Sequence, residues 1–342
     1  MAKFRIGVIG LGMASAPHAR SLLDLSDRVE VAAAYAPSAA RREKFAEAYG
    51  LPVTGDLDAV FSDSTIDAVL ILTPPATHLE LVEQAAASGK HVLLEKPLDV
   101  TPARARAIVS AADAAGITLG IVFQNRFRRA VLELRALLAE GRLGEIVGAS
   151  VRVSNWRGQS YYDEPGRGTL ARDGGGVLLT QAIHTIDLLI SLAGLPASVF
   201  AHAVTSPLHR METEDLVAGT LRFANGAIGT LSATTSAYPG FPERIDLIGT
   251  KGTAVLEGDM LAVEFLDGSR FGAGGEARGT AAGADPMAFG HELHRALIRD
   301  FVDAVTLGRP PHVSGADALK AHALIEALLQ SSASGQMEAV AR

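Results

Sequence analysis

The sequence predicts an α/β protein in two parts: an N-terminal doubly wound parallel sheet, then an α+β domain on a large, mainly antiparallel open sheet. Three observations carry this. The first third alternates short, wholly apolar runs with helical patterns, as expected of strands covered on both faces by crossover helices. Beyond about residue 125, strand-like runs follow one another with few helices between them. The length of 342 residues suits about two domains.

In the first part, strands are expected at 4–9, 29–35, 68–72, 91–94 and 118–122, with helices at 16–25, 39–49, 79–87 and 101–115. Right-handed crossovers between parallel strands leave the doubly wound arrangement as the natural topology. In the second part, strands are expected at 148–156, 199–205, 216–223, 228–235, 244–248, 253–256 and 261–266. Asn225-Gly226 is a strong hairpin signal, and Asp267-Gly268 marks a second turn. The Gly- and Ala-rich stretch 272–284 reads as an exposed loop, and helices at 291–307 and 316–331 close the chain. The expected domains are 1–125, 126–315, and a C-terminal helix over 316–342 packing back on the first domain.

Composition narrows the function classes. Thirty-one basic against 38 acidic residues leave a net charge of −7, with no dense basic block. That argues against a nucleic-acid partner. The chain has no Cys, which removes disulfides, thiolate zinc sites and cysteine nucleophiles together. No run of about 18 apolar residues is present, so no membrane span is expected. Lys3 and Arg5 before an apolar stretch ending Ala14-Ser15-Ala16 imitate a leader peptide, but Gly7, Gly10 and Gly12 interrupt it. A first β-strand in a cytoplasmic chain is the expected reading.

Gly10-Leu11-Gly12-Met13-Ala14-Ser15 lies between the first strand and the first helix. Gly10 permits the tight turn, and Gly12 lets the backbone approach a pyrophosphate at the helix N-terminus. Gly10, Gly12, Met13 and Ala14 are therefore candidate dinucleotide ligands, although Ser15 replaces the third glycine. The acid expected about 20 residues on, for the ribose hydroxyls, is missing. The second strand ends Tyr35-Ala36-Pro37-Ser38, and Arg41 follows. Ser38 and Arg41 suit a 2′-phosphate, which favours NADP over NAD.

Three further segments follow strands of the same sheet: Thr73-Pro74-Pro75 through His78, Glu95-Lys96-Pro97, and Gln124-Asn125-Arg126-Phe127. Ligands of open α/β sheets bind beyond the carboxyl ends of the strands, so all three are expected to face one crevice. Thr73, Pro74, His78, Glu95, Lys96 and Gln124 are assigned to the cofactor, and Asn125 and Arg126 to the substrate. In the second part, Gly174-Gly175-Gly176 precedes a helical pattern on which Thr180, His184, Asp187 and Ser191 share one polar face. That face is expected to meet the crevice.

Together these motifs resemble the Gfo/Idh/MocA oxidoreductase family, whose members pair a Rossmann domain with an α/β domain. The resemblance runs over nearly the whole chain, including the Phe301…Gly308-Arg309-Pro310 ending. It implies NAD(P)-dependent oxidation or reduction of a hydroxyl on a sugar, cyclitol or derivative, and a homodimer or homotetramer formed through the open sheet. It also implies that Lys96 and His184 are the catalytic residues. The chemistry agrees: an imidazole with a pKa near ~6.5 suits proton exchange at neutral pH. An ammonium can stabilise charge developing on the substrate oxygen. Many members carry Asp where this chain has Thr180, so a Lys-Asp-His triad is not available. A Lys96–His184 pair is expected instead, with Thr180 and Gln181 as supporting groups and Asp187 fixing the His184 tautomer. Arg157 and Tyr161, beside Trp156, are further substrate candidates.

Other histidines are set aside. His291 and His294 read as a surface pair without a third ligand, His202 and His209 as incidental, and no metal is expected. Two alternatives stay open: an NAD-assisted glycosidase, and a non-catalytic sensor that binds NADP without turnover.

Overall fold

A computed structural model describes residues 2–275 and 290–341. The chain begins β1 (Phe4–Ile9), α1 (Ser15–Asp24), β2 (Val29–Tyr35), α2 (Ala39–Tyr49), β3 (Val53–Thr54) and α3 (Leu57–Ser62). It continues with β4 (Ala68–Ile71), α4 (His78–Ala87), β5 (His91–Leu94), α5 (Pro102–Ala115) and β6 (Leu119–Ile121). Next come α6 (Arg129–Ala139), β7 (Ile146–Ser154), α7 (Gln159–Tyr162), α8 (Leu170–Asp173) and α9 (Ile183–Ala193). Seven strands follow: β8 (Ser198–Val204), β9 (Leu216–Arg222), β10 (Ile228–Thr234), β11 (Arg244–Gly249), β12 (Gly252–Glu257), β13 (Met260–Phe265) and β14 (Arg270–Gly274). The last elements are α10 (Glu292–Leu307), α11 (Gly315–Ser334) and β15 (Glu338–Ala339).

Two compact units result, and they divide the chain differently from the expected boundaries. One holds residues 2–124 with 290–319; the other holds 125–275 with 320–341. The first correction is α10, which packs on α1 in the first unit. There its Phe301 is buried against Gly120 on β6, where a Cβ would stand 2.8 Å from the ring. The second concerns α11. From Lys320 on it belongs to the second unit, where Ser331 Oγ accepts the Ala201 amide of β8 at 3.1 Å. An apolar stripe shows that a helix docks, but not on which sheet.

The first unit is a parallel six-stranded sheet in the order β3-β2-β1-β4-β5-β6. β4 is buried along its whole length, which explains its uniformly apolar sequence. Ser38, Asp56 and Thr101 cap α2, α3 and α5 through their side chains. The order reverses between β1 and β4, so the loops leaving these strands part and open a crevice at their carboxyl ends.

The second unit is a nine-stranded sheet in the order β14-β13-β12-β11-β7-β10-β9-β8-β15, antiparallel except where β7 meets β10. Asn225-Gly226 turns β9 into β10, and Asp267-Gly268 turns β13 into β14. The expected loop over 272–284 begins as strand, since β14 runs to Gly274; residues 276–284 lie outside those described. Val151, Val153, Leu231, Ala233 and Leu247 line the covered face of the sheet. α6 and α9 pack against this sheet. Leu170–Ala193 is apolar and long enough to cross a membrane, yet 72 % of its most apolar window is buried, as in a core helix.

Leu328 of α11 has no exposed surface and reaches the β9 backbone beside Gly219. Leu328→Ala is expected to destabilise the second unit by about 2–5 kcal/mol. Fluorescence of the single tryptophan, Trp156, reports on that unit, so the thermal midpoint it records should fall.

Candidate active site

The glycine turn is shaped by close approach. Gly10 has φ +104°, and a Cβ there would sit 2.9 Å from the Leu72 carbonyl carbon and the Thr73 nitrogen. Only glycine fits between the ends of β1 and β4. At Gly12 a Cβ would meet nothing within 4 Å, so this side of the turn is open. Ala14 gives α1 no side-chain cap, Ser15 Oγ turns back to the Gly12 carbonyl at 2.7 Å, and Met13 is 69 % exposed. A ten-residue helix with an open, uncapped start offers main-chain N–H groups to an anion. These residues fit the pyrophosphate of a dinucleotide.

At the end of β2 the expected acid is absent, as the sequence shows. The Ser38 hydroxyl accepts the Arg41 amide at 3.4 Å and serves as the α2 cap. Arg42 donates to the carbonyls of Ala36 and Pro37 at 2.7 and 3.0 Å. Arg41 stays exposed at the head of the helix.

Beyond β4, Thr73 and Pro74 form the loop, and Thr73 Oγ1 accepts from Thr77 Oγ1 at 2.7 Å. His78 was expected to touch the cofactor. It is instead fully buried, with Nδ1 3.0 Å from the Leu98 carbonyl and Nε2 2.9 Å from the Thr73 carbonyl. Burial pushes its pKa down, against the pull of both carbonyls, so the ring braces this loop from within.

Beyond β5, Glu95 accepts from His18 Nε2 at 2.9 Å and from the Lys96 amide at 3.0 Å. Burial alone would raise the Glu95 carboxyl, but the His18 bond and the Lys96 charge bring it below the ordinary range. Lys96 is half-buried, and desolvation lowers its pKa while the Glu95 charge opposes the change. An ammonium that gives up its proton more readily than an ordinary lysine suits proton handling. Beyond β6, Gln124 has a buried Oε1 with no hydrogen-bond partner among the described residues. Such an acceptor fits a ligand that brings an N–H group.

The second unit carries the remaining candidates. The helical stretch through His184 is not uniform: Leu178–Ala182 is wound as a π-helix, and α9 follows it directly. Such wide turns recur at functional sites. Thr180, Gln181 and His184 are partly exposed. Thr180 Oγ1 donates to the Gly176 carbonyl at 2.7 Å, and Gln181 accepts from Asn155 Nδ2 at 3.2 Å.

Asp187 and Arg126 come together. Both are buried, and Arg126 donates from Nε and Nη2 to the two Asp187 oxygens at 2.7 and 2.5 Å. Asp187, expected beside the His184 ring, thus also anchors Arg126. Asn125, next to Arg126, is also buried. Arg157 and Tyr161 do come together: the Arg157 guanidinium lies 5.5 Å from the Tyr161 ring centre, and Arg167 donates to the Tyr161 hydroxyl at 2.9 Å.

Sequence reasoning missed two carboxylate anchors. Glu214 accepts the amides of Gly176 and Leu178 at 3.0 and 3.1 Å, holding the start of the His184 helix. A Cβ at Gly176 would fall 1.9 Å from the Glu214 carbonyl oxygen, so the last glycine of the triple is sterically required. The glycine run was the available signal. Asp215 takes His209 Nδ1 at 2.6 Å, Ser206 Oγ at 2.6 Å and Ser236 Oγ at 2.8 Å. His209 Nε2 then meets the Arg157 carbonyl at 2.8 Å, so a histidine read as incidental anchors the Arg157 loop. His291 and His294 also differ from expectation: His291 pairs with Asp24 at 2.9 Å, and His294 is buried with its ring centre 4.8 Å from that of His18.

Comparison with known proteins agrees with this geometry. Residues 4–123 match the oxidoreductase family with an NAD-binding Rossmann fold, and residues 131–255 match the GFO/IDH/MocA C-terminal domain. Inositol 2-dehydrogenase of Rhizobium meliloti (strain 1021) is 29% identical, covering 98% of this chain and 99% of its own. The 1,5-anhydro-D-fructose reductase of Ensifer adhaerens is also 29% identical, over 90% of each chain. Among solved structures, the WlbA dehydrogenase from Bordetella pertussis in complex with NADH and UDP-GlcNAcA superposes with a TM-score of 0.84 at 27% identity, covering 100% of both chains. Matched across both of its units, this chain belongs to the Gfo/Idh/MocA oxidoreductase family.

Proposed function

We propose that this protein transfers a hydride between a nicotinamide dinucleotide and a secondary hydroxyl or ketone of a sugar, cyclitol or sugar derivative. The observation that carries the proposal is Lys96: a desolvated lysine with lowered proton affinity, at the carboxyl edge of the sheet that bears the open glycine turn. Inositol and anhydrofructose enzymes among the relatives support the substrate class. A bound nicotinamide supplies the hydride acceptor or donor. Gly10, Gly12, Met13 and Ala14 would hold its pyrophosphate, with Thr73, Pro74 and Gln124 lining the same edge.

In the oxidative direction the hydroxyl proton must leave oxygen as hydride leaves carbon. By the family resemblance, His184 is the residue assigned to take that proton, and Lys96 the one assigned to stabilise the charge developing on the oxygen. Arg157, Tyr161, Thr180 and Gln181 contact the remaining substrate hydroxyls. Retention of both proton-handling residues speaks against the non-catalytic sensor, and a net change in nicotinamide absorbance separates a dehydrogenase from an NAD-assisted glycosidase.

A panel of sugars, inositols and sugar acids, each with NADP and NAD at alkaline pH, identifies the substrate. With that substrate, Lys96→Met is expected to lower kcat by about a hundredfold or more while cofactor binding by fluorescence is retained. If Lys96 and His184 serve the same proton transfer, the double variant with His184→Ala should lose little more than the worse single variant. Additive losses would refute a shared role.

The cofactor is expected to be NADP in preference to NAD, because no acid follows β2 and Arg41 is exposed where a 2′-phosphate is sensed. Arg41→Ala should lower kcat/KM for NADP by about tenfold and leave NAD unchanged.

A homodimer or homotetramer completes the proposal. The uncovered face of the nine-stranded sheet presents Ile228 and Ile248, 68 % and 50 % exposed, beside a groove of about 440 Å³ lined by Phe200, Thr220 and Ser150. A second copy of this chain is the expected occupant. Paired Ile228→Asp and Ile248→Asp substitutions should shift the particle to monomer by light scattering; an unchanged mass would place the interface elsewhere.

A further inference from the structure

His18 lies on α1 with no exposed surface, and it takes no part in the chemistry proposed above. Its Nε2 is 2.9 Å from one oxygen of Glu95, whose other oxygen accepts the Lys96 amide at 3.0 Å. One carboxylate thus joins the helix behind the glycine turn to the main chain of the lysine. A buried histidine satisfied by a carboxylate is often only structural. Two observations take this one further.

The first is charge balance. Glu95 is the carboxylate whose charge raises the Lys96 affinity for its proton against desolvation, so the direction it faces sets that balance. The second is the company it keeps. The titratable groups bearing on Glu95 are His18 from α1, His294 from α10 and the adjacent Lys96. Burial pushes His294 down to about 4, so near neutral pH it adds no positive charge. His291, which also bears on His294, is tied to Asp24, and buried His78 on α4 senses the Glu95 charge from its bonds to two carbonyls. His18 Nδ1 has no hydrogen-bond partner among the described residues, so Nε2 carries the ring's contact with Glu95.

We infer that His18 is a positioning residue for Lys96, acting through Glu95. It anchors one carboxylate oxygen so that the other stays on the Lys96 main chain. The inference rests on the proposed role of Lys96. It also ties that lysine to the helix whose start is proposed to hold the pyrophosphate.

The test is a direct titration of Lys96. The chain has six lysines, so reductive ¹³C-methylation gives few NMR signals, and loss of one in Lys96→Arg assigns the residue. His18→Leu removes the donor, whereas His18→Gln keeps an N–H near the place of Nε2. In His18→Leu the carboxylate loses its anchor and its charge shifts relative to Lys96, which is expected to move the Lys96 midpoint by about half a unit or more. The acid limb of its pH–rate profile should follow, with kcat down by about tenfold and KM for NADP within about twofold. His18→Gln should restore the midpoint and bring kcat to within about threefold of the parent. Should His18→Leu fail to fold, Glu95→Gln reads the same coupling: removing the charge should move the Lys96 midpoint down.

A Lys96 midpoint unmoved in His18→Leu, or in Glu95→Gln where that variant stands in, would overturn the inference. So would equal losses in the Leu and Gln variants. His18, Glu95 and His294 also place ligand atoms within 4.8 Å of one another, a donor set for a divalent ion. One equivalent of zinc per chain, with activity lost on chelation, would replace positioning with a metal site. Failure of the Lys96 role itself is distinguishable, since Lys96→Met would then keep its turnover while the NMR shifts persist.

Discussion

The place of His184 within the second unit depends on one buried ion pair. Arg126 and Asp187 are 4% and 1% exposed, and they meet through two hydrogen bonds along one edge. Taking two charges out of water is costly, and their attraction offsets that cost only when the geometry is close. Removing one partner would strand the other, at about 3–5 kcal/mol. This asymmetry makes the pair a fixed reference. The segment after β6 and the middle of α9 cannot slide past each other without separating the charges. His184, one turn before Asp187, inherits that constraint.

Carboxylates also anchor several of the loops near candidate side chains. Loop amides have no ladder partner, so each buried one needs an acceptor from elsewhere. Glu95 serves the Lys96 amide, Glu214 serves those of Gly176 and Leu178, and Asp215 takes the Ser206 amide at 2.7 Å. A carboxylate offers two oxygens and several lone pairs, so one residue can hold several strands of chain. Apolar packing, being non-directional, fixes the sheets well but leaves such loops without a defined course.

These interactions also explain what could be read in the sequence. The parallel sheet was legible because strands covered on both faces must be apolar throughout, as in β4. The glycine turn was legible because Gly10 needs a conformation that other residues avoid. The assignment of α10 and α11 was not, since an amphipathic pattern marks a buried stripe without naming its partner. α6 was missed for a related reason: Val131, Leu134 and Leu137 are spaced for a helix but sit among strand-like runs. At the site, the pairing of Arg126 with Asp187 and the carbonyl contacts of His78 could not be read. Polarity and spacing do not distinguish a side chain that meets a ligand from one that meets a buried charge or carbonyl.

The π-helical turn shows how that distinction arises within one helix. Glu214 holds the start of the stretch at Gly176 and Leu178, and Arg126 holds its middle at Asp187. A π-turn takes one residue more than a regular winding. The excess falls at Leu178–Ala182. Widening changes the angular phase of everything before it relative to everything after it. Thr180 and Gln181 lie within the wide turn and His184 just after it, and all three keep partial exposure, while Asp187, one turn further along α9, is buried against Arg126. Glu214 and the Arg126–Asp187 pair thus hold this stretch on both sides of the wide turn, which the polar pattern alone does not reveal.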